Sequence, residues 1–106
     1  SYGYDIESID EENNQKRIEV KTSKNGKAFI TWNEWKTALS SAEERIKYEF
    51  HLWSIKNNQT NLAILRVEDL DFIPQIHQVN HYFDKFIVNF DGFKDKFKNI
   101  TFEDRL

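Results

Sequence analysis

The residues that could do chemistry sit near the start of the chain. Asp5 lies in Gly3 to Ser8 (GYDIES), and fourteen positions later Glu19 opens an E-x-K pair with Lys21 inside Arg17 to Thr22 (RIEVKT). Hydrolysis of a phosphodiester calls for a divalent cation, which neutralises developing charge and lowers the pKa of an attacking water. Hard cations such as Mg²⁺ prefer carboxylate and carbonyl oxygens. Asp5 and Glu19 are therefore candidate metal ligands, with the carbonyl of Val20 as a third. Lys21 is the candidate to orient the water or to stabilise the charged transition state. An acid two residues from a lysine also arises by chance in many charged chains, and a surface ion pair on a hairpin needs no function. The elements that carry these residues decide between the two readings.

Tyr4 to Ile9 alternates weakly and is followed by the polar cluster EENNQ. The first 23 residues thus read as two strands joined by a loop, the second running from Arg17 to Ser23. Side chains alternate along a strand, so Ile18 and Val20 share one face and Glu19 and Lys21 the other. The expectation is that the apolar pair faces the core and the charged pair a common surface. KNGK is an Asn-Gly turn signal leading into a short strand, Ala28 to Ile30. Trp32, Trp35, Leu39, Ala42 and Ile46 then recur at helical spacing. Thr31 with Glu34 matches the capping box, which predicts a helix from Trp32 to about Ile46. Tyr48 to Lys56 alternates as a strand with Tyr48, Phe50 and Leu52 on one face. The turn NNQTN and the apolar run Leu62 to Val67 complete a hairpin. Asp69 to His77 holds the only Pro and reads as a loop with a helical turn. Phe83 to Phe90 reads as a last strand, and Phe90, Phe93 and Phe97 carry helical spacing. The order of elements is that of an α/β domain around a mixed sheet.

Composition sets outer bounds. The chain has 106 residues, 39% hydrophobic and 15% aromatic, which suits one domain whose core is filled by a few large rings. There is no Cys, which excludes disulfides, thiolate zinc sites and cysteine nucleophiles. No apolar run approaches the roughly 20 residues that span a bilayer, so the expectation is a soluble cytoplasmic protein without membrane contact. The absence of an initiating Met predicts a single domain excised from a longer chain, with further domains of that parent as partners. Net charge is only −3, too small for the whole molecule to attract nucleic acid. Its distribution is uneven: Asp5 to Glu12 holds five acids and no base, whereas Lys16, Arg17, Lys21, Lys24 and Lys27 follow with Glu19 the one acid among them. Lys16, Arg17, Lys24 and Lys27 are candidate phosphate contacts beside the site, or a solvated charged edge that discourages strand pairing.

The D-x(n)-E-x-K arrangement resembles that of the PD-(D/E)xK nuclease superfamily. More narrowly, GYDIES with RIEVKT, then ITWNEW and YEFHLWSI, resembles the NO VEIN C-terminal family over residues 3 to about 67. The resemblance implies a restriction-endonuclease-like core: a mixed β-sheet flanked by helices, with Asp5 and Glu19 on adjacent strands. It implies Mg²⁺ or Mn²⁺ as cofactor and DNA as partner, in a metal-dependent endodeoxyribonuclease of restriction or defence type. It also implies a first core helix with a further acid, for which the chain leaves no room before Asp5. The Pro of the superfamily name is absent, Tyr4 standing before Asp5. Thr31, Asn33 and Glu34 fall within the family's motif by resemblance, while helix capping by itself accounts for Thr31 and Glu34. Trp32 and Trp35 read as core residues rather than base-stacking platforms. His51 could point toward the site, and His77 and His81 lie in the tail; none is given a catalytic role. The alternative function is a noncatalytic nucleic-acid or protein interaction module on the same fold.

Overall fold

The computed structural model describes residues 3–73 and 84–101. Along these residues run strands β1 Ile6–Ile9, β2 Gln15–Ser23 and β3 Lys27–Thr31, helix α1 Trp32–Glu43, and strands β4 Lys47–Lys56 and β5 Gln59–Leu65. A 3-10 turn Val67–Leu70, strand β6 Lys85–Asn89, a 3-10 segment Phe90–Lys96 and strand β7 Lys98–Asn99 follow. The predicted α/β class and mixed sheet are both present. The strands divide into a five-stranded sheet of order β1-β2-β4-β5-β7 and a two-stranded sheet of β3 with β6. The β2–β4 pairing is parallel and the other pairings antiparallel. A parallel pair needs a long crossover, and the chain supplies it through β3 and α1. His77 and His81, and part of the loop expected from Asp69, lie outside the described residues.

Local chemistry explains the joints. Asp10 closes the β1–β2 loop: its Oδ1 accepts from the amides of Glu12 at 2.9 Å and Asn14 at 2.8 Å, and its Oδ2 meets Lys47 Nζ at 2.9 Å. Thr31 caps α1 with its hydroxyl accepting from Glu34 N at 3.1 Å, and Glu34 accepts from Thr31 N at 2.9 Å, completing the box. The helix ends at Glu43 rather than Ile46, because Arg45 enters the left-handed region at φ 62° and Ile46 N turns back to Ser41 O at 2.8 Å. Its buried stripe is Trp35, Ala38 and Leu39 with Ser41, and Ala42 is exposed. Asn57 and Asn58 both take positive φ, 52° and 63°, as a two-residue type I′ hairpin turn requires. The hairpin therefore closes earlier than expected, and β5 starts at Gln59.

The core lies between α1 and one face of the large sheet. Trp35 stacks on Phe50 with centroids 6.2 Å apart, and Tyr48, Leu52, Ala63 and Leu65 complete that face. This corrects the expected orientation of β2. Register pairs Arg17 with Tyr48, Glu19 with Phe50 and Lys21 with Leu52, and paired residues on neighbouring strands share a face. The charged face of β2 is thus the covered one. Ile18 and Val20, only half-buried, turn to the opposite side with Glu49 and His51. The physical reason is that β4 and β5 bury five apolar side chains on the α1 side, and one strand with two aliphatic residues follows the register they set.

Candidate metal centre

Asp5 reaches the site because the segment before β1 is held at several points. Gly3 has φ +78°, and a Cβ there would stand 2.8 Å from Thr37 Cβ and closer still to its hydroxyl, so the chain crosses α1 only where no side chain intervenes. The Tyr48 hydroxyl donates to the Gly3 carbonyl. Asp5 N donates to Ile18 O at 2.9 Å, which continues the β1–β2 ladder by one step. The Asp5 carboxylate then accepts from Val20 N at 2.8 Å through Oδ2. A strand residue directs its N–H and C=O to the same neighbour, so the Val20 carbonyl lies on the edge that Asp5 faces.

Glu19 comes from the covered face of β2 and is 5% exposed. Lys21 lies on the same face, its Nζ 3.4 Å from Glu19 Oε2 and 2.8 Å from Glu34 Oε1. Helix capping accounts for Glu34 in the sequence, where the family resemblance also sets it within a motif. Glu34 does cap α1, and with the same oxygen it also anchors Lys21. The N-terminal turn of α1 thereby brings a second carboxylate to Glu19 and Lys21. A capping box gives no sequence sign of this second partner, since the crossing of α1 over β2 alone creates it.

Two carboxylates facing one lysine leave the site short of positive charge. Burial, then the hydrogen bond and charge of Glu34, push Glu19 up to about 8, with Asp5 adding to the shift and Lys21 opposing it. Burial also works against the charged form of Glu34, but hydrogen bonds from Lys21 and the Thr31 amide outweigh it and hold Glu34 below the usual carboxylate value. Glu19 therefore keeps the proton and Glu34 the charge. Tyr48 is raised by burial and then by the fields of Glu19, Glu34 and Asp5, so its hydroxyl stays a donor.

The donors present are all oxygens, and the deficit of positive charge around Glu19 suits a hard divalent cation. Among the described residues no group of three acidic or imidazole side chains is placed to hold a metal ion; Asp5 accepts from the Val20 amide and Glu19 is hydrogen-bonded to Glu34.

The basic candidates separate. Lys16 lies on the opposite face of the sheet, 3.5 Å from Glu49. Arg17 donates to Ser41 Oγ at 2.8 Å and lies 5.0 Å from the Tyr4 ring centroid, tying β2 to α1. Lys24, in the turn after β2, and Lys27, the first residue of β3, are exposed and pair with no acid among the described residues. His51 does not point toward the site: it faces away and meets Glu49 Oε1 at 2.8 Å, because it alternates with the buried Phe50 and Leu52. Trp35 is fully buried and Trp32 packs at the core margin, as expected.

In comparisons with known proteins, residues 1–69 match the family described as Protein NO VEIN, C-terminal. No curated protein and no solved structure matches the chain.

Proposed function

This chain belongs to the NO VEIN C-terminal family, and on that premise we propose that it is a Mg²⁺- or Mn²⁺-dependent nuclease domain, or one derived from such a nuclease, acting on DNA phosphodiesters. The reading takes the β1, β2, α1 and β4 unit as a restriction-endonuclease-like core. The observation that supports it best is the meeting of Asp5, Glu19 and Lys21 at one place, with the Asp5 carboxylate 2.8 Å from the amide between the other two.

A cation bound there would supply charge neutralisation and a water of lowered pKa. Asp5, Glu19 and the Val20 carbonyl would hold it, Glu19 giving up its proton in doing so. Lys21 keeps its ammonium 3.4 Å from Glu19, placed to orient a water or meet charge developing on phosphate oxygen. Glu34 is a positioning residue: anchored to the Thr31 amide, it fixes where the Lys21 ammonium stands. The low exposure of Glu19, 5%, strengthens the electrostatic interactions it makes.

Incubating the protein with DNA and Mg²⁺ or Mn²⁺ tests this directly. Cleavage should appear, stop with EDTA, and vanish in Lys21→Ala and Glu19→Gln, with circular dichroism confirming that both variants fold. Cleavage that persists in Lys21→Ala removes the role given to Lys21. Salt-sensitive DNA binding that ignores EDTA, with no cleavage, would instead establish a noncatalytic interaction module.

A further inference from the structure

A groove of about 500 Å³ opens beside the acid cluster, between the end of β2 and the start of β3. Lys21, Lys24, Lys27 and Phe29 line it, together with small and polar residues and no acid, although the chain as a whole carries a net charge of −3. Lys21 belongs to both places, bordering the groove while its ammonium rests on Glu34. The other two lysines are exposed and unpaired with acid among the described residues, so they are free to meet anions.

Phe29 gives the groove a second character. It points outward from β3, which alternates Ala28 and Ile30 into the core with Lys27, Phe29 and Thr31 outside. The residue is 45% exposed, and the ammonium of Lys85 from the neighbouring strand stands over the ring, 4.5 Å from its centroid. With Lys85 over one face, a half-exposed ring beside unpaired lysines is the combination that holds nucleotides: cations for phosphate and an aromatic surface for a base.

From this we infer that the groove binds single-stranded nucleic acid, with phosphates on Lys24 and Lys27 and one base stacked on Phe29. A duplex keeps its bases stacked inside and offers the ring no partner, so only an unpaired or frayed strand uses both features. The inference rests on the nucleic-acid reading above and adds the substrate class: a strand seated in the groove passes Lys21 and leads its backbone toward Asp5 and Glu19.

Fluorescence anisotropy with a short labelled DNA, single-stranded or annealed to its complement, tests this in EDTA. The single strand should bind about tenfold tighter than the duplex, and Phe29→Ala should remove about that factor, the scale of one lost stacking contact. Phe29→Tyr, which keeps a ring, should retain the affinity. Lys24→Gln with Lys27→Gln should lower the salt dependence by about two phosphate contacts. Equal affinity for the two forms, unchanged binding in Phe29→Ala, or no binding at low salt overturns the inference. Because EDTA removes metal from the measurement, a protein that never cleaves leaves this inference standing. Loss of single-strand preference likewise leaves metal-dependent cleavage of duplex untouched.

Discussion

Glu19 and Glu49 lie on adjacent strands of one sheet, on opposite faces, and their chemistry diverges. Their side chains are 7% and 16% exposed, too small a difference to separate them. Their partners do. Glu19 shares one lysine with a second carboxylate, and burial followed by Glu34 pushes it up to about 8. Glu49 has His51 at 2.8 Å and Lys16 at 3.5 Å. Burial disfavours its charge, but the His51 hydrogen bond and the Lys16 charge prevail, and its carboxyl is lowered. A carboxylate only accepts, so His51 Nε2 carries the hydrogen in that contact. One face pairs its acid with two bases; on the other, Glu19 shares a single lysine with Glu34. The proposed metal site rests on the Glu19 face, where a carboxyl is raised by burial and a neighbouring acid.

The largest way to sharpen this contrast is to remove the shared base. Lys21→Ala leaves Glu19 and Glu34 facing each other beneath α1, and should destabilise the metal-free protein by roughly 2 kcal/mol near pH 8, measured by urea unfolding in EDTA. The loss should shrink in acid, where Glu19 keeps its proton. A loss that does not vary with pH would show that the two acids do not compete.

Next in size is the pH profile. Glu19 has a folded pKa of about 8 against an ordinary 4.5, so its contribution is fully present below 4.5 and lost as pH rises through about 8. Stability of the metal-free protein should therefore decline across that window, and Glu19→Gln should flatten the decline. Glu49 has the opposite sign. Its folded pKa is lowered, so its stabilisation is present above the ordinary 4.5 and lost as pH falls through the folded value.

The smallest effect follows from that sign. Glu49→Gln should cost about 1 kcal/mol at neutral pH, as expected for a charge-assisted contact near the surface, and nothing in acid. A larger cost than that of Lys21→Ala would reverse the comparison and place the more consequential charge cluster on the open face.

Much of this was legible in the chain. The capping box at Thr31 and Glu34, the Asn-Gly turn with Gly26 at φ +77°, the Tyr48, Phe50 and Leu52 face, and the pairing of Asp5 with the E-x-K strand all appear where the pattern put them. The orientation of β2 is the exception. A strand pattern says which residues share a face but not which face is covered; with only Ile18 and Val20 to set against Glu19 and Lys21, the usual preference pointed the wrong way.

Sequence by itself determined the elements, the alternation and the identity of the charged groups, because turns, caps and periodicity act over a few residues. Tertiary structure alone decided that Glu19 is buried, that Glu34 joins it, that His51 and Lys16 turn away, and that Lys24, Lys27 and Phe29 share a groove. The first three outcomes depend on register with β4 and on the passage of α1 over β2, which bring together residues distant in the chain, and the last on the turn that leads β2 into a strand of the other sheet. GYDIES and RIEVKT named the acids; the helix lying over them set which one holds a proton.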